Sequence, residues 1–379
     1  MKRRQLVVGA PALSLFAAGL GWSGASSAQG QAITFGQSAS LTGGQARYGQ
    51  DVRAGILAAF AAASRADAAK GLRYELATLD DGGVKDRCVG NVKQLIDQGA
   101  VALLGLTSGA AAEAVLPVVT QAQIAMLGTA SGNMGIREGE HPGVCHVRAG
   151  YDVEYQRMVR YIKDFGMRRV GYVYLQDTSK ANLNAMTKAL DTVGVQPAVT
   201  VPIDRNNKNL QPAARQLLDA NLDCVLFTTN AAPILGIVEL MPQSQYAGMF
   251  FSSSFAGQEL VDGVARINRS VVMSLVVPRP TALGVGVVAQ AKKDLEAFGN
   301  GATLGVTTLE GYIAGRVAVE AARSAAGRNG VPSRARLREA LAGLRTDLGG
   351  YRVAFSPDNS TGSRYVEMVA VDRFGRIVG

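Results

Sequence analysis

Short apolar runs alternate with segments of helical period along nearly the whole chain, and this alternation restricts the fold more than any other feature. Ile33 to Gly36, Tyr74 to Leu79, Val101 to Leu104 and Ile124 to Leu127 have the length and apolar density of buried strands. Between the second and third runs, Val89, Val92 and Ile96 recur at i, i+3 and i+7 and share one helical face. A helical crossover returns the chain to the same edge of a sheet, so this order predicts an α/β unit: a parallel sheet with helices on both faces.

A second series follows. A helix carrying Tyr151, Tyr155, Met158 and Ile162 on one face precedes a strand over Val170 to Leu175, and helical segments then alternate with Val199 to Val201, Cys224 to Phe227 and Met249 to Phe251. A chain of 379 residues, 47% of them hydrophobic, fills more than one core, so two similarly wound lobes are expected. The remainder does not simply extend the second lobe. After the strand Val271 to Val277 come Pro278 and Pro280, a helix with the stripe Leu309, Tyr312, Ile313 and Val317, and a further short helix. Gly349 and Gly350 then precede two β-like segments, Tyr351 to Phe355 and Tyr365 to Val371. The chain should therefore pass between the lobes more than once.

The first residues have a different character. Lys2, Arg3 and Arg4 precede an apolar stretch from Leu6 to about Leu20, and Ser26 and Ala28 supply small side chains beyond it. The stretch is shorter than the ~20 residues a membrane-spanning helix needs. Residues 1–28 therefore read as a signal peptide cleaved near Ala28. Arg3, Arg4, Gln5 and Leu6 fit a twin-arginine signal as well as an ordinary basic leader. The three cysteines, Cys88, Cys145 and Cys224, lie far from the cleavage point, which argues against a lipid anchor. An exported, unanchored protein is retained only behind an outer membrane, so the expected location is the periplasm. Three cysteines leave at least one unpaired; Cys88 with Cys145 is the one pairing to consider. Loss of Lys2, Arg3 and Arg4 lowers the formal charge from +9 to +6. The remaining basic residues are scattered, which excludes a nucleic-acid track.

Open parallel sheets bind ligands beyond the carboxyl ends of their strands. The loops there are Ser40 to Gly44, Thr107 to Gly109, Thr129 to Gly132, Thr228 to Asn230 and Ser252 to Ser254. Hydroxyls and glycines dominate all five. Singly, such residues cap helices; together, they suit a small ligand bearing a carboxylate. Signs of an enzyme are missing. The two histidines, His141 and His146, flank a turn at Pro142 and Gly143 and read as structural surface residues. There is no GxSxG, HExxH or GxxxxGK[ST] motif. Gly284, Gly286 and Ala289 form a GxGxxA string without a strand leading into it, and Asp80 with Asp81 reads as a cap for a helix beginning near Val84. Neither a cofactor nor a metal ion is expected.

Certain strings recur in a telling order: Ser40, Leu41, Thr42, Gly43 with Tyr48, Gly49, Gln50, Asp51; Asp80, Asp81; Leu104 to Gly109; Ile124 to Asn133; Arg148 with Tyr151 and Glu154; Leu309 to Tyr312; and Asp347 to Gly350. In them the chain resembles the type 1 periplasmic solute-binding proteins of ABC transporters, the branched-chain amino-acid binding (leucine-binding) family. The resemblance implies two Rossmann-like lobes joined by a three-crossing hinge, with 32–148 plus 279–348 in lobe 1 and 149–278 plus 349–379 in lobe 2. The lobes would close over a ligand in the cleft, a hinge motion of which periplasmic binding proteins are a standing example. It also implies a site: Thr107, Ser108, Thr129, Ala130 and Ser131 around the ligand's carboxylate, Tyr48 flanking it, and Lys180, Asn230 and Ser253 from the second lobe. Ser253 stands where amino-acid binders carry an acidic partner for the ligand's ammonium, so the ligand is expected to lack one. The implied protein is a monomer without a membrane anchor. It captures an amino acid or an organic or aromatic acid and delivers it to a membrane permease. Presentation of the ligand to a membrane sensor, and an exported hydrolase lacking a recognisable nucleophile and base, are the alternatives.

Overall fold

The computed structural model describes residues 31–326 and 330–379; the signal peptide read over 1–28 lies outside the described residues. The chain opens with β1 (Gln31–Ala39), α1 (Ala46–Ala66), β2 (Leu72–Asp80), α2 (Lys85–Asp97), β3 (Ala102–Leu104), α3 (Gly109–Ala114), α4 (Leu116–Gln121), β4 (Ala125–Leu127) and β5 (Val144–Cys145). These strands form a five-stranded parallel sheet in the order β2-β1-β3-β4-β5. The expected alternation is therefore present, and the helices return each strand to one sheet as the crossover rule requires.

After a first crossing near Gly150, the second lobe runs α5 (Tyr151–Asp164), β6 (Val170–Leu175), α6 (Lys180–Asp191), β7 (Val199–Ile203), α7 (Leu210–Asp219), β8 (Cys224–Thr228), α8 (Ala231–Glu239), β9 (Met249–Ser252), α9 (Gly257–Ile267) and β10 (Val271–Leu275). The chain then returns with α10 (Gly286–Phe298), α11 (Val306–Ala325), α12 (Arg334–Ala342) and the hairpin β11 (Arg345–Asp347) and β12 (Arg352–Ala354). It ends in β13 (Glu367–Val371) and β14 (Ile377–Val378), which extend the second sheet antiparallel to the order β14-β13-β10-β9-β8-β6-β7.

The third crossing comes later than the expected boundary at 348/349. Tyr351, Val353 and Phe355 project from one side of the hairpin into the first lobe's core. The chain then lies along β5, where His146 N–H donates to Ser360 O and Gly362 N–H to His146 O, both at 2.8 Å. Residues 360–362 thus pair beside the otherwise open edge of the first sheet, and the second sheet is rejoined only at Glu367. At the hinge, the Tyr351 hydroxyl lies 3.2 Å from Val147 O and 3.1 Å from Val276 O, tying together the first two crossings.

The pairing that the sequence leaves open is decided by the structure. Cys88, Cys145 and Cys224 are all buried and free, so the Cys88–Cys145 pair does not form. Burial pushes each thiol up to about 12, leaving them protonated and inert at neutral pH. Among the described residues no helix is long and apolar enough to cross a membrane.

Candidate functional site

The β1–α1 loop is held by the two aspartates at the end of β2. Asp80 Oδ1 accepts from the backbone N–H groups of Leu41, Thr42 and Gly82, and its Oδ2 accepts from the Thr42 hydroxyl at 2.6 Å. Asp81 accepts from Ser38 Oγ, Ser40 Oγ and Gly83 N. These carboxylates do not cap α2, whose N-cap is Val84 with no side-chain bond. Desolvation would raise the Asp80 carboxyl, but the bonds from Thr42, Gly82 and Leu41 outweigh it and hold its pKa below the ordinary value. A depressed pKa stabilises the fold above the unfolded-state value near ~3.9 and loses that contribution as pH falls through the folded value. Asp80→Asn is therefore expected to cost about 1 kcal/mol at pH 7, allowing for solvent screening, and less at pH 3, where the carboxylate's contribution has begun to fall. Urea midpoints of both proteins at the two pH values check this.

Between the lobes lies a cleft. The first lobe lines it with Gln45, Ser108, Gly109, Ala110, Ser131 and Asn133. The second contributes Tyr151 and Tyr155 from α5, Leu175 to Ser179 apart from Gln176, Asn182 from α6, and Arg205, Thr228 and Phe255. Ser108 sits where β3 ends and α3 begins, its Oγ accepting from Ala111 N at 3.3 Å as the helix N-cap. Ser131 Oγ accepts from Asn133 N at 3.2 Å and lies 3.5 Å from the Tyr151 hydroxyl. The Tyr151 and Tyr155 rings stack at 5.4 Å and 9°. Asp177 and Arg205 hold each other by two bonds of 2.7 and 3.0 Å.

The lobes meet across this cleft. Met134 N donates to Asn182 Oδ1 at 2.8 Å, Arg47 pairs with Asp262, and the Tyr48 ring meets Phe255 edge-on at 6.3 Å. The cavity left between them is about 40 Å³ and partly open to solvent, room for a few waters.

Two lobes, a hinge of three crossings and a polar cleft at the strand ends agree with a direct comparison: the family model for periplasmic binding proteins matches residues 32–376. The chain belongs to that family. Solved structures of similar architecture include a possible leucine/isoleucine/valine-binding protein from Rhodopirellula baltica SH 1, 23% identical with a TM-score of 0.85, the match covering 93% of this chain and 97% of that one. A substrate-binding periplasmic protein from Ralstonia solanacearum is 25% identical with a TM-score of 0.83, covering 91% and 99%. A solute-binding protein of an R. palustris ABC transporter, in complex with 4-hydroxybenzoate, is 17% identical with a TM-score of 0.76, covering 92% and 95%. No curated protein matches significantly.

In this periplasmic binding protein the expected site residues separate into groups. Ser108 and Ser131 line the cleft. Tyr48, Thr107, Thr129 and Ala130 are buried behind its wall. The Tyr48 hydroxyl donates to Ala130 O at 2.9 Å, and Thr107 Oγ1 accepts from Ser40 N at 3.0 Å, so both hydroxyls are committed to holding loops. Lys180 is exposed on the first turn of α6, while its neighbours Ser179 and Asn182 face the cleft. Asn230 and Ser253 are buried just beyond β8 and β9. Tyr155 was legible only as part of an apolar helix face and Tyr151 as part of that face and of the resemblance, while the Asp177–Arg205 pair, 28 residues apart, left no local signal.

A buried ion network joins the lobes beneath the cleft. Arg148, at the first crossing, binds Glu154 of α5 and, at 3.0 Å, Glu310 of α11; its Nη2 also donates to Ser254 Oγ at 2.6 Å. Glu154 receives further bonds from Ser254 N and Oγ and from Ser274 Oγ. Desolvation disfavours the Arg148 charge, yet Glu310 and Glu154 more than offset it and raise its pKa well above the ordinary value. Arg137 has no such partner: burial, with Arg148 nearby, lowers its pKa to about 9. Its guanidinium donates instead to the carbonyls of Ser131, Arg148 and Ala149. The expectation of a surface His146 is overturned. The ring is 1% exposed, with Nε2 3.1 Å from Ile136 O. Burial, reinforced by Arg137, drives its pKa well below the ordinary value, so it is a neutral core residue at physiological pH.

Proposed function

We propose that this protein is the solute-capturing component of an ABC importer, working in the periplasm after removal of residues 1–28. It takes up a small carboxylate-bearing solute and passes it to a membrane permease, by binding and lobe closure alone, without covalent chemistry. The observation that carries this reading is the composition of the cleft. Hydroxyls of Ser108 and Ser131 stand on the first-lobe side, and the stacked Tyr151 and Tyr155 rings on the other. That pairing suits a molecule with an acceptor-rich end and an apolar body. Leucine and 4-hydroxybenzoate, named for two of the similar structures, both have that form.

Calorimetric titration with a panel of amino acids and aliphatic and aromatic organic acids tests the reading, and silence across the panel would count against it. With the ligand found, Ser108→Ala is expected to raise Kd about tenfold while leaving the circular dichroism spectrum unchanged. An unchanged Kd would remove Ser108 from the site.

A further inference from the structure

Where α9 of the second lobe meets α11 of the first, each helix caps the other. Their own N-cap residues, Ala256 and Gly305, have no side-chain oxygen to offer. Thr307 Oγ1 of α11 accepts from Gln258 N of α9, and Gln258 Oε1 accepts from Val306 N of α11, both at 2.9 Å. Glycine makes the approach possible: a Cβ on Gly305 would stand 2.6 Å from Gln258 Oε1, and one on Gly257 2.7 Å from Thr307 Oγ1. The other end of the same glutamine is used too. Gln258 Nε2 donates to Asp262 at 2.9 Å, and Asp262 pairs with Arg47 of α1. Val306, 5% exposed, seats its side chain in the second lobe's core although the body of its helix packs in the first's.

These bonds form a strap between the lobes, running from Arg47 through Asp262 and Gln258 to Val306 and Thr307. None of these residues lines the cleft. The two sides of the strap are fixed to different bodies. On the first-lobe side, α11 is locked to α1: a Cβ on Gly55 would stand 2.0 Å from Thr308 O, so the first turn of α11 cannot follow the second lobe without disrupting that packing. On the second-lobe side, Leu260, Val261 and Val264 hold α9 in that lobe's core. Parting of the lobes therefore shears the strap. Its hydrogen bonds are lost once stretched beyond about 3.5 Å, and Val306 is drawn out of its core at the same time.

We infer that Gln258 and Thr307 are positioning residues for capture: without touching the solute, they hold the lobes together through the strap and so set how much of the protein is closed. A solute held between closed lobes then loses affinity when the strap is weakened from outside the cleft. The inference concerns the lobes and not the solute's chemistry, so its test needs no solute and its outcome is separate from that of the carboxylate reading. Pulsed electron resonance between nitroxide labels on Lys93→Cys of α2 and Lys188→Cys of α6, both exposed positions, reads the distance between the lobes; the native cysteines are buried out of the labels' reach. The parent is expected to show mainly the short distance. Thr307→Val, which keeps the shape and removes one acceptor, should raise the ratio of long to short distances about fivefold. Gln258→Ala, which removes two side-chain bonds, should raise it about tenfold or more. Thr307→Ser keeps the acceptor and should match the parent within about twofold. A parent already at the long distance overturns the inference. So does a distribution that neither Thr307→Val nor Gln258→Ala moves, even if their urea midpoints fall, since the join would then support the fold alone. If Gln258→Ala does not fold, the contrast between Thr307→Val and Thr307→Ser decides.

Discussion

Replacing Arg148 with methionine is expected to destabilise the folded protein by about 3–5 kcal/mol, because it strands two buried carboxylates at once. Arg148 is 2% exposed, Glu154 is fully buried and Glu310 is 8% exposed. One guanidinium serves both, and the remaining negative charge is spread over donors from Ser254 and Ser274, with the Tyr48 hydroxyl 3.4 Å from Glu310 Oε2. Without Arg148 those hydroxyls cannot replace a full positive charge. The ion network as such is not a large stabiliser, since desolvating three charges offsets most of their attraction. A triple variant, Arg148→Met with Glu154→Gln and Glu310→Gln, should therefore recover more than half of the loss. Urea midpoints of the two variants and the parent decide it. A single variant within about 1 kcal/mol of the parent would show that water reaches the network and screens it.

The same network explains which parts of this molecule were legible in the sequence. Periodicity depends on neighbours along the chain, so the strand Val170 to Leu175 and the buried face Tyr151, Tyr155, Met158 and Ile162 appear as expected. Register and partner choice depend on neighbours in space. The hairpin segment ending at Phe355 was legible as extended, yet nothing local reveals that it completes the first lobe's core rather than the second's. β5, two residues long, carries too little pattern to be seen. The site follows the same division. Hydroxyl-rich loops at strand ends pointed to Ser108 and Ser131, because strand ends are where open sheets leave room. The commitment of Tyr48 and Thr107 to loop carbonyls and amides, and the exposure of Lys180, depend on packing distances that no spacing along the chain encodes.

Gly311→Ala is expected to cost about 3 kcal/mol or more, although it adds one methyl group to a helix. α1 and α11 cross with their backbones almost in contact. A Cβ on Gly311 would stand 2.1 Å from Val52 O, and one on Gly55 would stand 2.0 Å from Thr308 O. These obstacles are backbone carbonyls, which move only with their helices, so the two helices must separate. Val52, Ile56, Leu309, Tyr312 and Ile313 line the same crossing and are all buried; separation opens gaps among them, and lost packing adds to the strain. Gly90→Ala supplies the contrast. Gly90 lies within α2 with nothing within 4 Å of its would-be Cβ, so alanine there should stabilise by about 0.5–1 kcal/mol through helix propensity alone. The same chemical change thus has opposite signs at the two positions. Gly55→Ala combined with Gly311→Ala should cost clearly less than the sum of the two, because one separation of the helices relieves both clashes. Thermal midpoints of the four variants test this. A fully additive double variant would mean that the chain accommodates each methyl by local distortion and that the helices do not move apart.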